Sequence, residues 1–173
     1  SDRHPREPLT QYAAHLASPA RGRPPNAEEV WIDLAPHLLA GARILRPGGQ
    51  PDWKRLEVSF EGDRARAAFP IITPGREPLH CIVATGRTRS EPSHIRQIRL
   101  NDTAYHIDGV NDENGVYCSR YRSENEDDAT IQPDMMRCLI GEFLRGRPVL
   151  PAAAARENLH WTLTVLDAAR TRP

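Results

Sequence analysis

Lysine is almost missing from this chain: Lys54 is the only one among 23 basic residues, and the rest are arginines. Any chemistry that needs a lysine amine must use that residue. Cysteine is scarce as well, and Cys81, Cys118 and Cys138 are far apart with no CxxC pair. That spacing excludes a disulfide framework and a cysteine-based zinc site and fits reduced thiols in a cytoplasmic protein. Net charge is absent too, with 23 basic residues against 23 acidic ones. Without a general field the chain is not expected to bind nucleic acid or an anionic membrane. No apolar run approaches the roughly 18 residues of a membrane span, and the polar start "SDRHPREPLT" has no signal-peptide character. Aromatics are few, and Trp31, Trp53 and Trp161 lie too far apart in sequence to suggest a stacking platform for single-stranded nucleic acid.

What is present indicates a single domain, since 173 residues can bury a real core but cannot hold a nucleotide domain plus a substrate domain. The arginine, alanine and proline content is that of a GC-rich bacterial genome. Residues 1–27 read as an extended N-terminal arm, with "LTQYAAHLA" as its one helix-like stretch and "SPARGRPPN" as a loop, and residues 28–173 as the folded domain. From Asp33 onward Leu34, Leu38, Ala42 and Leu45 recur at helical spacing until "PGG" at 47–49. Asp33 is the expected N-cap, with Pro36 tolerated in the first turn, whose amides have no helical partner.

The middle of the chain changes period. "RLEVSFEG", "RARAAFPII", "LHCIVATGRT", "HIRQIRL", "TAYHIDGV" and "GVYCSRYRS" are short runs separated by turn signals, and they predict five or six strands. The Gly-Asp pair in "FEGDRARAAF" fits an antiparallel hairpin, the arginines of "HIRQIRL" suggest one wet face, and "SENEDDAT" reads as an acidic loop. Two helices close the chain. In the first, Met135, Met136, Leu139, Ile140, Phe143 and Leu144 form a one-sided apolar pattern after Pro133, ending at Gly146. In the second, from about Ala152 to Arg170, Leu159, Leu163 and Leu166 are the expected buried seam. The order predicts an α+β domain, an open and mainly antiparallel sheet with helices packed on one face. Strands such as "LHCIVAT" look apolar on both sides, so a homodimer through the free sheet face is expected.

The candidate chemistry starts with Asp33 and His37, one helical turn apart. Imidazole is a general acid/base suited to neutral pH, and a neighbouring carboxylate fixes its tautomer and raises its basicity. The same pair also has a structural reading, as a helix cap and a hydrogen-bonded surface histidine. His80 and Cys81 are adjacent in a strand and point to opposite faces, so they cannot act as a base and nucleophile pair, and Cys81 belongs in the core. Tyr105 and His106, with Arg120, Tyr121 and His80, are candidates for a polar substrate pocket on the sheet or for a solvated or dimer-facing strand. The histidines lack metal-ligand spacing and no metal is expected, although His37, His80 or His106 with Asp33 would form a site if they met in space.

"DLAPH" leading into an apolar helix, then a series of strands, then "FLRGRPVLPAAAARENLHWTLTVLDAA", resembles the C-terminal domain of the glucose-fructose oxidoreductase and inositol dehydrogenase family across residues 28 to 170. The resemblance implies an open antiparallel sheet with helices on one side, the other side often serving subunit contacts. It also implies a pocket for sugars, cyclitols or related polyols beside the aspartate and histidine. By that match His37 is the acid/base and Asp33 its orienting or proton-relaying partner. Two family features have no counterpart. No G-x-G-x-x-G follows a strand, and Lys54 in "PDWKRL" does not match the family's catalytic lysine segment.

The first expectation is therefore a cofactor-independent acid/base enzyme, an isomerase, dehydratase, epimerase or cyclase acting on a small polyhydroxylated or carbonyl-bearing metabolite. In that reading Arg120 or Tyr105 stabilises an enolate. The alternative is a partner that completes the site of a separate NAD(P)-dependent subunit, or a piece of a longer oxidoreductase.

Overall fold

The computed structural model describes residues 7–20, 26–89, 94–125, 129–132, 135–147 and 151–171. Nine strands form one sheet: β1 (Gln11–Pro19), β2 (Gln50–Pro51), β3 (Glu57–Glu61), β4 (Arg64–Ile72), β5 (Leu79–Thr88), β6 (Ile95–Leu100), β7 (Thr103–Asn111), β8 (Tyr117–Ser123) and β9 (Ala129–Gln132). The helices are α1 (Ala27–Leu45), α2 (Met135–Leu144) and α3 (Ala152–Thr171), with a 3-10 turn at Trp53–Arg55. The strands run β2-β4-β5-β1-β6-β7-β8-β9, with β3 also paired to β4, and every pairing is antiparallel except that of β1 with β5. The expected α+β class with an open, mostly antiparallel sheet is the observed one. The sheet exceeds the expected five or six strands by β1, β2 and β9.

β1 is the largest departure. "LTQYAAHLA" forms a strand in the middle of the sheet, with Tyr12 beside both Cys81 of β5 and Leu100 of β6. Alanine and leucine favour a helix locally, but Tyr12 and Ala14 are buried on one face while the sheet supplies hydrogen bonds on both edges, and this tertiary pairing overrides the weak local preference. The β3–β4 hairpin forms as expected, with Gly62 at φ +57 in its turn and Glu61 opposite Arg64.

α1 begins earlier than expected. Asn26 is its cap, the side chain accepting from the Glu29 amide at 2.8 Å, while Glu28 and Glu29 place negative charge where the helix dipole favours it. Asp33 is thus an interior residue and not the N-cap. Pro36 also falls inside the helix, where it removes the donor that the Ile32 carbonyl would use. The helix continues because Val30, Trp31, Leu34, Ala35, Leu38, Leu39 and Ala42 bury a wide stripe against the sheet.

α3 packs beside α1 with a face other than the expected one. Asn158, Trp161, Thr162, Val165 and Leu166 are buried, whereas Leu159 and Leu163 are 55% and 44% exposed. Polar partners explain the rotation: Asn158 donates through Nδ2 to the Pro36 carbonyl at 2.8 Å, and the Trp31 indole donates to the Thr162 carbonyl at 3.0 Å. Trp161 meets Trp53 and Phe69 edge-on, each at 6.2 Å, with the Arg43 guanidinium 5.5 Å from its ring. In α2, Ile140 and Leu144 are exposed instead of lying on a buried face. The side chains of Met135, Met136, Leu139 and Phe143, expected in the core, lie outside what is described.

Register divides the sheet into two faces. Tyr12, Ala14, Cys81, Val83, Phe69, Ile98 and Tyr105 share the face that carries the helices; His15, His80, Ala84, Arg64, Arg66, Gln97 and His106 share the opposite, open face. "HIRQIRL" accordingly does not have one wet face: Arg96 and Arg99 point to opposite sides, and every residue of β6 is half-buried. Burial pushes the Cys81 thiol up to about 12, as expected for a core cysteine, and burial followed by the neighbouring Cys81 raises the Tyr12 phenol above its ordinary value.

His15 gives a pH prediction. Burial first, and the Arg64 guanidinium second, hold its imidazole below the ordinary 6.5. The unfolded chain therefore binds the proton more readily, so His15 contributes stability that is present above about pH 6.5 and is lost as pH falls below it. His15→Gln should flatten the acid limb of thermal unfolding between about pH 7 and 5, above the range where most carboxylates titrate. An unchanged limb would rule this assignment out.

Candidate functional site

α1 lies across the sheet between α3 on one flank and β6 and β7 on the other. Leu34, His37 and Leu38 of α1, with Leu16, Ile98 and Ile107 of the sheet, bound a groove of about 410 Å³ on that second flank. Its floor is apolar, and His37, His94 and Arg96 supply the polar groups. Such a mixture of apolar walls and a few polar side chains is the usual character of a small-molecule site.

His37 is exposed, and among the described residues no hydrogen bond or ion pair engages its ring. Asp33, one turn earlier, is not its partner. The Asp33 carboxylate accepts from Arg87 Nη2 at 2.7 Å, and the other Arg87 terminal nitrogen donates to Ser18 Oγ. Arg87 is largely buried, its side chain 16% exposed, so it ties α1 to β1 and β5 from beneath. Asp33 and His37 therefore share a helix flank without sharing a proton.

The five expected substrate-binding residues separate. Tyr105 and Tyr121 are on the helix-side face with the groove, because Tyr105 pairs with Ile98, and Ile107, which pairs with Tyr121, lines the groove itself. His106 and Arg120 point to the open face, where His106 lies 3.5 Å from Glu124 and Arg120 bonds Asp108 at 3.1 Å. His80 is on the open face too, bordering a separate depression with Lys54, Arg55 and Arg66. One pocket cannot hold all five. Among the described residues no three histidine, cysteine or acidic groups come together as a metal site.

Three groove residues were not singled out from the sequence: His94, Arg96 and Arg87. Arg96 and Tyr117 were legible in principle, because a period-two reading of "HIRQIRL" and "VYCSRYRS" separates Arg96 from Arg99, and Tyr117, Ser119 and Tyr121 from Arg120 and Arg122. Arg87 carries no such signal, since its role depends on α1 crossing β5.

This is an α+β domain whose fold resembles the C-terminal domain of the glucose-fructose oxidoreductase and inositol dehydrogenase family. UDP-N-acetylglucosamine 3-dehydrogenase from Acidithiobacillus ferrooxidans superposes with a TM-score of 0.64 at 19% identity, over 95% of this chain and 57% of that one. A 3-ketoreductase from Actinomadura kijaniata, solved with TDP-benzene and NADP, gives a TM-score of 0.50 at 11% identity over 94% of this chain and 53% of that one. The chain thus spans little more than half the length of these enzymes. No family model and no curated protein matches the sequence. Among the described residues no helix is long and apolar enough to cross a membrane.

Proposed function

We propose that this chain forms the substrate-holding part of a sugar oxidoreductase site, with His37 moving a proton to or from a hydroxyl or carbonyl oxygen. The carrying observation is the His37 imidazole, unpartnered among the described residues, at the edge of a groove with an apolar floor. The neighbours are named as a dehydrogenase of UDP-N-acetylglucosamine and a ketoreductase. This supports a hydroxyl or ketone substrate.

The chain's own residues do not fit a nicotinamide dinucleotide. The first turn of α1, which follows the parallel strand β1, has its amides capped by Asn26 and carries Glu28 and Glu29, the opposite of what a pyrophosphate needs. The reading therefore assigns the cofactor to a dinucleotide-binding domain outside these residues, on a second protein or on another part of a longer chain. What residues 1–173 contribute is binding, orientation and one proton. Asp33, neutralised by Arg87, holds the helix in place.

A second reading keeps His37 in the same role without a partner, as a cofactor-independent isomerase, dehydratase or cyclase, and the absence of any competing bond to its ring favours a group free to transfer a proton. Turnover assays on this chain alone and with a dinucleotide-binding partner, each with and without NAD(P)H, separate the two. Turnover by the isolated chain without a nicotinamide supports the second reading. If His37→Gln changes neither, both are wrong.

We also propose a homodimer through the open face, where Ala13, Ile82 and Ala84 offer small apolar side chains between the arginines of β4 and β6. Tyr105 and Tyr121 are retained as substrate contacts on the groove side, whereas His80, His106 and Arg120 are assigned to this opposite surface. Light scattering that shows a monomer at micromolar concentration would refute the dimer.

A further inference from the structure

Three of the chain's four tyrosines stand on the helix-side face of β7 and β8: Tyr105, Tyr117 and Tyr121. The fourth, Tyr12, is in the core. Tyr117 lies flat on the sheet because Gly109 leaves room for it; a Cβ at that glycine would come within 2.5 Å of the phenol oxygen and 2.6 Å of a ring carbon. The Tyr117 hydroxyl accepts from Arg96 Nη1 at 3.3 Å, and the ring remains 45% exposed. Arg96 also lines the groove that holds His37, and Ile107 continues the groove floor to the tyrosines. From β8 across β7 and β6 to β1 is three strand spacings, about 14 Å. A shelf of phenol rings, an arginine and an imidazole are thus set out in one line. One sugar ring would not reach from the imidazole to the shelf.

We propose that the shelf and groove together bind a sugar carried on a nucleoside diphosphate, its base stacked on Tyr117, its phosphates at Arg96 and its sugar ring beside His37. Flat aromatic faces accept any base, and a guanidinium matches phosphate oxygens in geometry and charge. The assignment of the sugar end rests on the role proposed above for His37; the base and phosphate end rests on Tyr117, Gly109 and Arg96 alone.

Titration calorimetry on the full chain tests it, with uridine diphosphate, adenosine diphosphate and inorganic pyrophosphate as probes. Both nucleotides should bind about tenfold or more tightly than pyrophosphate. Tyr117→Ala should erase that advantage and leave pyrophosphate binding within about twofold. Tyr117→Phe, which keeps the ring, should retain nucleotide binding within about threefold, so a general folding defect is distinguishable from loss of stacking. Arg96→Gln should weaken all three probes, and His37→Gln none of them. Nucleotides that bind no better than pyrophosphate, or a Tyr117→Ala variant that binds them as before, overturn the proposal. If His37→Gln abolishes turnover of a free sugar while no nucleotide binds, this inference fails and the proton-transfer reading stands.

Discussion

Replacing Trp161 with alanine should destabilise the fold by about 3–5 kcal/mol, the range for removing a buried tryptophan and leaving a partly collapsed cavity. Trp161 is 1% exposed and joins α3 to Trp53, Phe69 and the Arg43 guanidinium. It is the central contact by which α3 closes the core. A domain of ordinary stability, about 5–15 kcal/mol, would lose a large fraction of it. The control is Leu159→Ala, two positions earlier on the same helix, which should cost under about 1 kcal/mol because that side chain is 55% exposed. Urea unfolding of both variants checks the pair. Comparable losses would mean that α3 packs through its leucines instead, as their spacing first suggested.

That contrast shows where the sequence is readable and where it stops. Helix α3 was legible in extent, because alanine and leucine favour it and nothing interrupts it. Its orientation was not. Leu159, Leu163 and Leu166 are the most apolar side chains, but the buried stripe includes Asn158 and Thr162, whose bonds to Pro36 and Trp31 exist only once α1 is alongside. Strands β3 to β8 were legible because alternation and turn residues are local signals. β1 was missed for the opposite reason: its partners are about 70 and 85 residues away along the chain, and no local pattern records them.

The candidate site shows the same division. His37 and Tyr121 were found from residue type and spacing. The separation of His106 and Arg120 from Tyr105 and Tyr121 follows from period two, yet which face met the groove depended on where α1 lay. Asp33 illustrates the limit most sharply. One turn from His37, it reads as a relay partner, and only the crossing of α1 over β5 shows its carboxylate on Arg87.

That arrangement leads to the second large effect expected. In a preparation that turns over its substrate, His37→Gln should lower kcat by about 100-fold to 10,000-fold, the range for losing a positioned general acid or base, while KM changes by only a few-fold. Glutamine keeps hydrogen-bonding capacity at the groove edge but cannot carry the proton. Asp33→Asn should lower kcat by less than about tenfold, because the carboxylate is already neutralised by a guanidinium and bonds no imidazole. Were the two residues a relay, the aspartate variant would show a loss approaching that of the histidine variant, as members of one catalytic unit do. Arg87→Met completes the comparison. It leaves Asp33 without its cation and unfastens α1 from β5, so it should lower thermal stability as well as activity, whereas His37→Gln should leave the unfolding midpoint nearly unchanged because His37 is exposed. A large Asp33→Asn effect on kcat at unchanged stability would restore the relay. Wild-type kcat in His37→Gln would remove this imidazole from the chemistry altogether.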